Sequence, residues 1–201
     1  MEAFDVVRQF EQAVANYAGA KYGVSCESLS LALLMCCEYK KVKEVEIPRR
    51  TYISVPNAII HAGGRIKWRD EDWEGCYELK PYKIIDSALR FKRGMYQTGT
   101  LHCISFHLRK LLPIGRGGMI LTDDEEAYEW LKKARFDGRS EGVPMTEDKI
   151  EMVGWNGILT PEQAARGLFI FHLLKNKELP DIPRESQGYP DLSKFNAYEQ
   201  D

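Results

Sequence analysis

The stretch of this chain best suited to chemistry is Cys103-Ile104-Ser105-Phe106-His107-Leu108-Arg109-Lys110, followed by Gly115-Arg116-Gly117-Gly118 and the apolar Met119-Ile120-Leu121. An apolar strand that ends in a hydroxyl, an aromatic and then a lysine, before a glycine turn and a second strand, holds one amine at the mouth of a sheet. Such an amine can form a Schiff base. One lysine among 28 Lys and Arg residues is by default a solvated surface charge, so the reading depends on its neighbours. Asp86 closes the run Tyr82-Lys83-Ile84-Ile85 and therefore ends a strand, at the edge where sheets of this kind take ligands. An aspartate at a strand end also caps the next turn, and the residues alone leave both roles open.

The elements that must position these groups follow from periodicity. Val6, Val7, Phe10, Val14 and Tyr17 recur at helical spacing and Gly19 follows as a stop, which predicts an amphipathic helix over residues 3–18. Short β-rich runs occur at 22–26, 42–47, 65–68, 83–85, 102–106 and 118–121, and helical patterns at 28–39, 56–62, 123–134 and 160–175. Strands alternating with helices predict an α/β fold with a mostly parallel sheet covered by helices on both faces. Residues 1–178 read as one compact domain. Pro180, Pro183, Gly188 and Pro190 break any helix beyond it, so 179–201 reads as an irregular arm or a disordered end.

In order and in motif the chain resembles the DegT/DnrJ/EryC1/StrS sugar aminotransferases, pyridoxal-phosphate (PLP) enzymes of fold type I, the aspartate-aminotransferase fold. Ser105, Phe106, His107, Lys110, Gly117 and Gly118 fall on that family's Ser-Phe-His-x-x-Lys run and following Gly-Gly strand. Phe10-Glu11, Tyr17 to Tyr22, Glu44 to Pro48, Thr51-Tyr52, Asn57 to Gly64, Ala134 to Arg139, Gly154-Trp155-Asn156 and Glu162 to Gly167 follow the family's order over roughly 170 residues. The resemblance implies PLP as cofactor, with Lys110 as the amine that carries it and Asp86 as the anion that keeps the pyridine nitrogen protonated. It also implies Tyr52 stacked on the ring, with core packing of that tyrosine as the alternative. Ser28 and Ser105 would contact the phosphate, and Asn156 would reach it from a neighbouring subunit, which makes a homodimer the functional unit. A lysine rather than a histidine at position 110 argues against the family's dehydratase branch.

The departures are specific. The family's Ser-Gly-Thr phosphate turn is Cys26-Glu27-Ser28, which puts the Glu27 carboxylate where a phosphate should sit, or, as the alternative, swings it into solvent while still favouring the helix dipole. Leu89 and Ile158 replace a glutamine and an arginine of the family, and Arg90, Arg109 or Arg116 could compensate. Only about a dozen residues separate the strand ending near Asp70 from the one starting near Lys83, about the minimum for a parallel crossover, so a sheet with one strand fewer than the family's is expected. The chain also stops near the point where the family's C-terminal small domain would begin.

Composition narrows the partners. A net charge of -2 offers no global attraction to nucleic acid or an anionic membrane. There is no apolar run of about 18 residues, and Met1 to Asp5 lacks the basic start of a secretory signal, so a cytoplasmic location is expected. Cys26, Cys36, Cys37, Cys76 and Cys103 are odd in number and have no metal-ligand spacing, so neither a disulfide framework nor a metal site is indicated. Two functions fit. The first is a PLP-dependent aminotransferase acting on a keto-sugar, nucleotide-linked, with an amino-acid donor such as glutamate. The second is a degenerate scaffold or binding domain of the same fold without transamination, suggested by the altered phosphate turn. A dinucleotide or P-loop site is not supported, because no GxGxxG or GxxxxGK[ST] loop is present.

Overall fold

The computed structural model describes residues 4–199; residues 1–3, with the expected helix start and N-terminal leader reading, and residues 200–201, the end of the expected arm, lie outside the described residues. Among the described residues there are five α-helices: α1 (Asp5–Ala18), α2 (Leu29–Tyr39), α3 (Ser54–His61), α4 (Glu125–Ala134) and α5 (Pro161–Leu174). The strands are β1 (Tyr22–Cys26), β2 (Glu44–Pro48), β3 (Arg65–Arg69), β4 (Tyr77–Leu79), β5 (Ile84–Ser87), β6 (Leu101–Ser105) and β7 (Gly118–Thr122). Among the described residues no helix is long and apolar enough to cross a membrane.

The α/β class holds, and the strand directions correct the expected sheet. The main sheet has the order β1-β7-β6-β5-β4, and β2 pairs in parallel with β3. A reciprocal pair of backbone bonds between Glu46 and Lys80 joins β2 antiparallel to the end of β4. Only β5 and β6 are parallel within the main sheet; β1·β7, β6·β7 and β4·β5 are antiparallel. Propagated through these pairings, five of the seven strands point one way and only β4 and β7 are reversed. Because both reversed strands are interior, the ladders are mixed rather than mostly parallel.

A seventh strand joins the six expected from the sequence. The segment between β3 and β5 is too short for a helical crossover, and it forms β4 instead, which turns back through Lys80–Lys83 and lies antiparallel to β5. The Tyr82 N–H donates to the Leu79 carbonyl in that turn. A hairpin needs far fewer residues than a parallel connection, which is how a short segment still supplies a strand.

Both faces of the sheet are covered, and side chains divide by the two-residue period. Ile120 and Cys103 face the cluster built with α2, α3 and α4, whereas Met119, Leu121 and Ile104 face the one built with α1 and α5. In α1, Val7, Phe10, Val14 and Tyr17 form the buried stripe, and Gly19, at φ +87, ends the helix. Arg135, at the end of α4, is buried between these layers. It donates to the Ser25 carbonyl at 2.6 Å and to Glu141 Oε1 at 2.7 Å, and it also pairs with Glu11 of α1. Glu11 in turn accepts from the Ser25 N–H and hydroxyl at 2.8 and 2.7 Å. This network fixes the end of β1, from which α2 starts.

Beyond α5 the chain forms 3-10 turns at Arg184–Gln187, Leu192–Lys194 and Asn196–Tyr198. It runs back over the molecule, with the Ile182 N–H donating to the Leu89 carbonyl and the Leu192 N–H to the Arg49 carbonyl.

Candidate active site

The forward ends of β1, β5 and β6 open on one edge of the sheet, and a cavity of about 440 Å³ lies there. That size is within the roughly 300–1,000 Å³ of ligand pockets. Ser28, Tyr52, Asp86, Ser105 and Lys110 all line it; Asn156 does not, and is exposed outside it.

Lys110 stands in the loop between β6 and β7. The loop is closed by Phe106 N–H to Gly117 O and Ile114 N–H to Phe106 O, and pinned by buried Leu112 and Ile114. A turn from Lys110 N–H to His107 O sets the lysine itself. The side chain is half-buried. Desolvation lowers its pKa, Asp86 opposes that shift, and Arg109 adds to it. A lysine held this way is more readily deprotonated than a solvated one, which is the condition for nucleophilic attack on a carbonyl.

Asp86 is buried in β5, at 3% exposure. Its Oδ2 accepts from the Tyr77 hydroxyl at 2.8 Å and its Oδ1 from the Ala88 N–H at 2.9 Å. Burial raises its pKa, while those two hydrogen bonds and the charge of Lys110 pull it back down. The Tyr77 hydroxyl also makes a short contact with Thr51 Oγ1, so β4 supplies the group that orients the carboxylate. Sequence reasoning did not find Tyr77, because it lies on the strand that was not anticipated.

The third wall is the start of α2. Ser28 is the N-cap, its hydroxyl accepting from the Leu31 N–H at 3.1 Å, and Ser30 joins it in lining the cavity. The first N–H groups of a helix have no carbonyl partner within it, which makes this end suited to an anion. Gly118 lets the helix approach: a Cβ there would lie 2.6 Å from both Ser28 C and Leu29 N. Ser105, whose hydroxyl accepts from the His107 N–H at 3.4 Å, lines the same cavity.

Of the two directions open to Glu27, the structure takes the one away from the cavity. Its side chain does not line the cavity and is paired with Arg116 at 3.1 Å, while Arg116 does line it. The carboxylate is turned to that cation, so a phosphate in the cavity would meet Arg116 rather than a bare negative charge. Leu89 is fully buried in the core and lines no part of the cavity. Arg90 is engaged by Asp181 through Nε and Nη2, at 2.9 and 2.6 Å, which leaves Arg109 and Arg116 as the arginines at the cavity.

These residues fit PLP by the chemistry of the donor set: an amine, a buried carboxylate, hydroxyls from Ser28, Ser30 and Ser105 beside a helix N-terminus, and an aromatic at Tyr52. A second pair with catalytic composition, Ser87 Oγ and His102 Nε2 at 2.6 Å, is sealed in the core. Burial pushes the His102 pKa down to about 4, and neither residue reaches the cavity.

Comparisons with known proteins bear on the family and the fold of the chain. The spore coat polysaccharide biosynthesis protein SpsC of Bacillus subtilis is 26% identical over 183 residues, covering 68% of this chain and 47% of SpsC. GDP-perosamine synthase of Caulobacter vibrioides is 23% identical over 205 residues, 80% of this chain and 54% of the synthase. The chain thus spans about half the length of these curated relatives. The sugar aminotransferase CalS13 from Micromonospora echinospora superposes with a TM-score of 0.71 at 18% identity, covering 84% of this chain and 60% of that one, which establishes a shared fold. The profile of the DegT/DnrJ/EryC1/StrS aminotransferase family matches residues 2–84 and 92–177, and the chain belongs to that family.

Proposed function

We propose that the chain is a PLP-dependent aminotransferase acting on a keto-sugar, nucleotide-linked, with an amino-acid donor. The observation that carries this reading is the convergence of Lys110 and Asp86 on one cavity, each shifting the other's protonation. When bound, PLP supplies an electron sink for the carbon that gains or loses the amino group. Lys110 would hold the cofactor through its Nζ, and the same Nζ would carry a proton to and from that carbon. Asp86, oriented by Tyr77 and the Ala88 N–H, holds the proton on the ring nitrogen. Ser28, Ser105 and the start of α2 take the phosphate. The names of the relatives, one in polysaccharide biosynthesis and one a GDP-perosamine synthase, support a sugar as the substrate class.

A visible absorption spectrum with added PLP, before and after borohydride, on wild type and Lys110→Ala tests the reading. A new band in wild type that borohydride removes, and that Lys110→Ala lacks, is expected. The scaffold alternative is favoured by one observation: Ser28 and Arg116 at the phosphate side already have partners in Leu31 and Glu27. It predicts no such band.

We further propose a homodimer. Asn156 is exposed outside the cavity, as a residue serving a neighbouring subunit would be, and Val153 beside it is 91% exposed. Sedimentation at micromolar concentration is expected to give a dimer; a monomer with and without PLP would leave Asn156 without a role.

A further inference from the structure

The segment Asp181–Leu192 crosses the cavity as a strap with a fixed anchor at each end. At the first, the Asp181 carboxylate accepts from Arg90 and pairs with Lys92 at 3.1 Å. Gly75 makes room for it, since a Cβ there would lie 2.4 Å from Asp181 Oδ2. Arg184 adds an ion pair to Asp72 at 2.8 Å. At the second, Leu192 is 1% exposed, its N–H donates to the Arg49 carbonyl at 2.8 Å, and Asp191 pairs with Arg49. Between these anchors, Gln187 to Pro190 line the same cavity as Lys110 and Asp86.

Tyr189 is the aromatic of that span. Its ring lies 6.3 Å from Trp73 at an interplanar angle of 18°, and 6.3 Å from Tyr52 at 57°. Trp73 in turn contacts the Tyr77 ring at 4.6 Å, and Tyr77 donates to Asp86. An aromatic row therefore runs from Tyr52 through Tyr189 and Trp73 to the residue that orients the buried carboxylate. Burial and the nearby charge of Asp86 both push the Tyr189 hydroxyl up from its ordinary pKa, consistent with a side chain turned into the cavity.

We propose that this strap is a built-in wall of the site and that Tyr189 is a ligand-contacting residue, its ring stacking on a flat phosphorylated ring of the PLP type. The contact rests on the reading of the cavity as a PLP site; the anchoring of the strap does not. A stacked aromatic on an anchored segment favours the bound ligand at little ordering cost, because the segment is already fixed.

Titration of PLP onto wild type, Tyr189→Phe, Tyr189→Ala and Asp181→Asn, read by the Lys110-dependent absorbance, tests the contact. Tyr189→Phe is expected to match wild type, and Tyr189→Ala to bind about fivefold more weakly, the scale of one aromatic contact. Asp181→Asn, which loosens an anchor without touching the cavity, is expected to weaken binding in the same direction. Unchanged or tighter binding by Tyr189→Ala would overturn the proposal, tighter binding meaning that the ring obstructs the site. Amide hydrogen exchange on the wild-type protein without PLP tests the strap separately. Protection of the Ile182 and Leu192 N–H groups is expected, and free exchange at either would overturn a fixed strap. If wild type takes up no PLP, the proposed function fails and the ligand role of Tyr189 with it, while hydrogen exchange still decides the strap.

Discussion

Replacing Arg135 by methionine is expected to destabilise the folded chain by about 3–5 kcal/mol, the cost of leaving a buried charge without its partner. Arg135 is 2% exposed and joins Glu11, Glu141 and the Ser25 carbonyl, so three segments lose a shared cation at once. Burial by itself would lower the pKa of this guanidinium, and the carboxylates of Glu11 and Glu141 more than reverse that, holding it charged. Without Arg135 the Glu11 carboxylate keeps its bonds from the Ser25 N–H and hydroxyl, both of them neutral donors. The double variant Arg135→Met, Glu11→Met removes the two buried charges, leaves Glu141 its pair with Arg8 at 3.8 Å, and is expected to recover much of the loss. Urea denaturation of the three proteins measures this. A single variant within about 1 kcal/mol of wild type would show that the network is not what secures β1, since exposed ion pairs are worth only that much.

Asp86→Asn is expected to leave the fold and PLP uptake intact while slowing amino transfer by about 10²- to 10³-fold. The upper figure follows from two opposite unit charges about 4 Å apart, which attract by about 4 kcal/mol at an effective dielectric near 20. Asparagine keeps the shape: its Oδ1 can accept from the Ala88 N–H while its Nδ2 donates to the Tyr77 oxygen, whose proton turns to Thr51, so the substitution removes the charge and keeps both contacts. The half-reaction with glutamate as amino donor, followed by absorbance, reads the rate, and the Lys110-dependent band reads uptake. A loss smaller than about threefold would remove Asp86 from the chemistry and return it to capping the turn at Ala88, since threefold is below one pKa unit of charge stabilisation.

What could be read from the sequence divides along physical lines. The long periodic segments were legible: the Val7, Phe10, Val14 stripe of α1, the Gly19 stop, and the apolar runs of β1, β6 and β7 lie within a residue or two of their observed limits. The Lys110 and Asp86 strand ends were legible for the same reason, because the edge of a sheet is set by where apolar runs stop. The short strand β4 was not, since three residues around Glu78 carry too little alternation to separate a strand from a loop. Without it neither the reversal within the sheet nor the Tyr77 contact to Asp86 could be foreseen. Glu27 was legible as a residue of a helix start but its direction was left open, because the carboxylate is drawn by Arg116, 89 residues away. Tyr189 gave no local signal: a single tyrosine between Gly188 and Pro190 becomes a cavity residue only through anchors at Arg90 and Arg49, both distant in sequence.

The central claim is that Lys110 is the amine of a PLP site. Incubation of the protein with PLP, reduction with borohydride and mass mapping of the peptides addresses it most directly. A pyridoxyl mass on the peptide carrying Lys110, absent from the Lys110→Ala protein, is the predicted result; label on other lysines only, or none at saturating PLP, would contradict it.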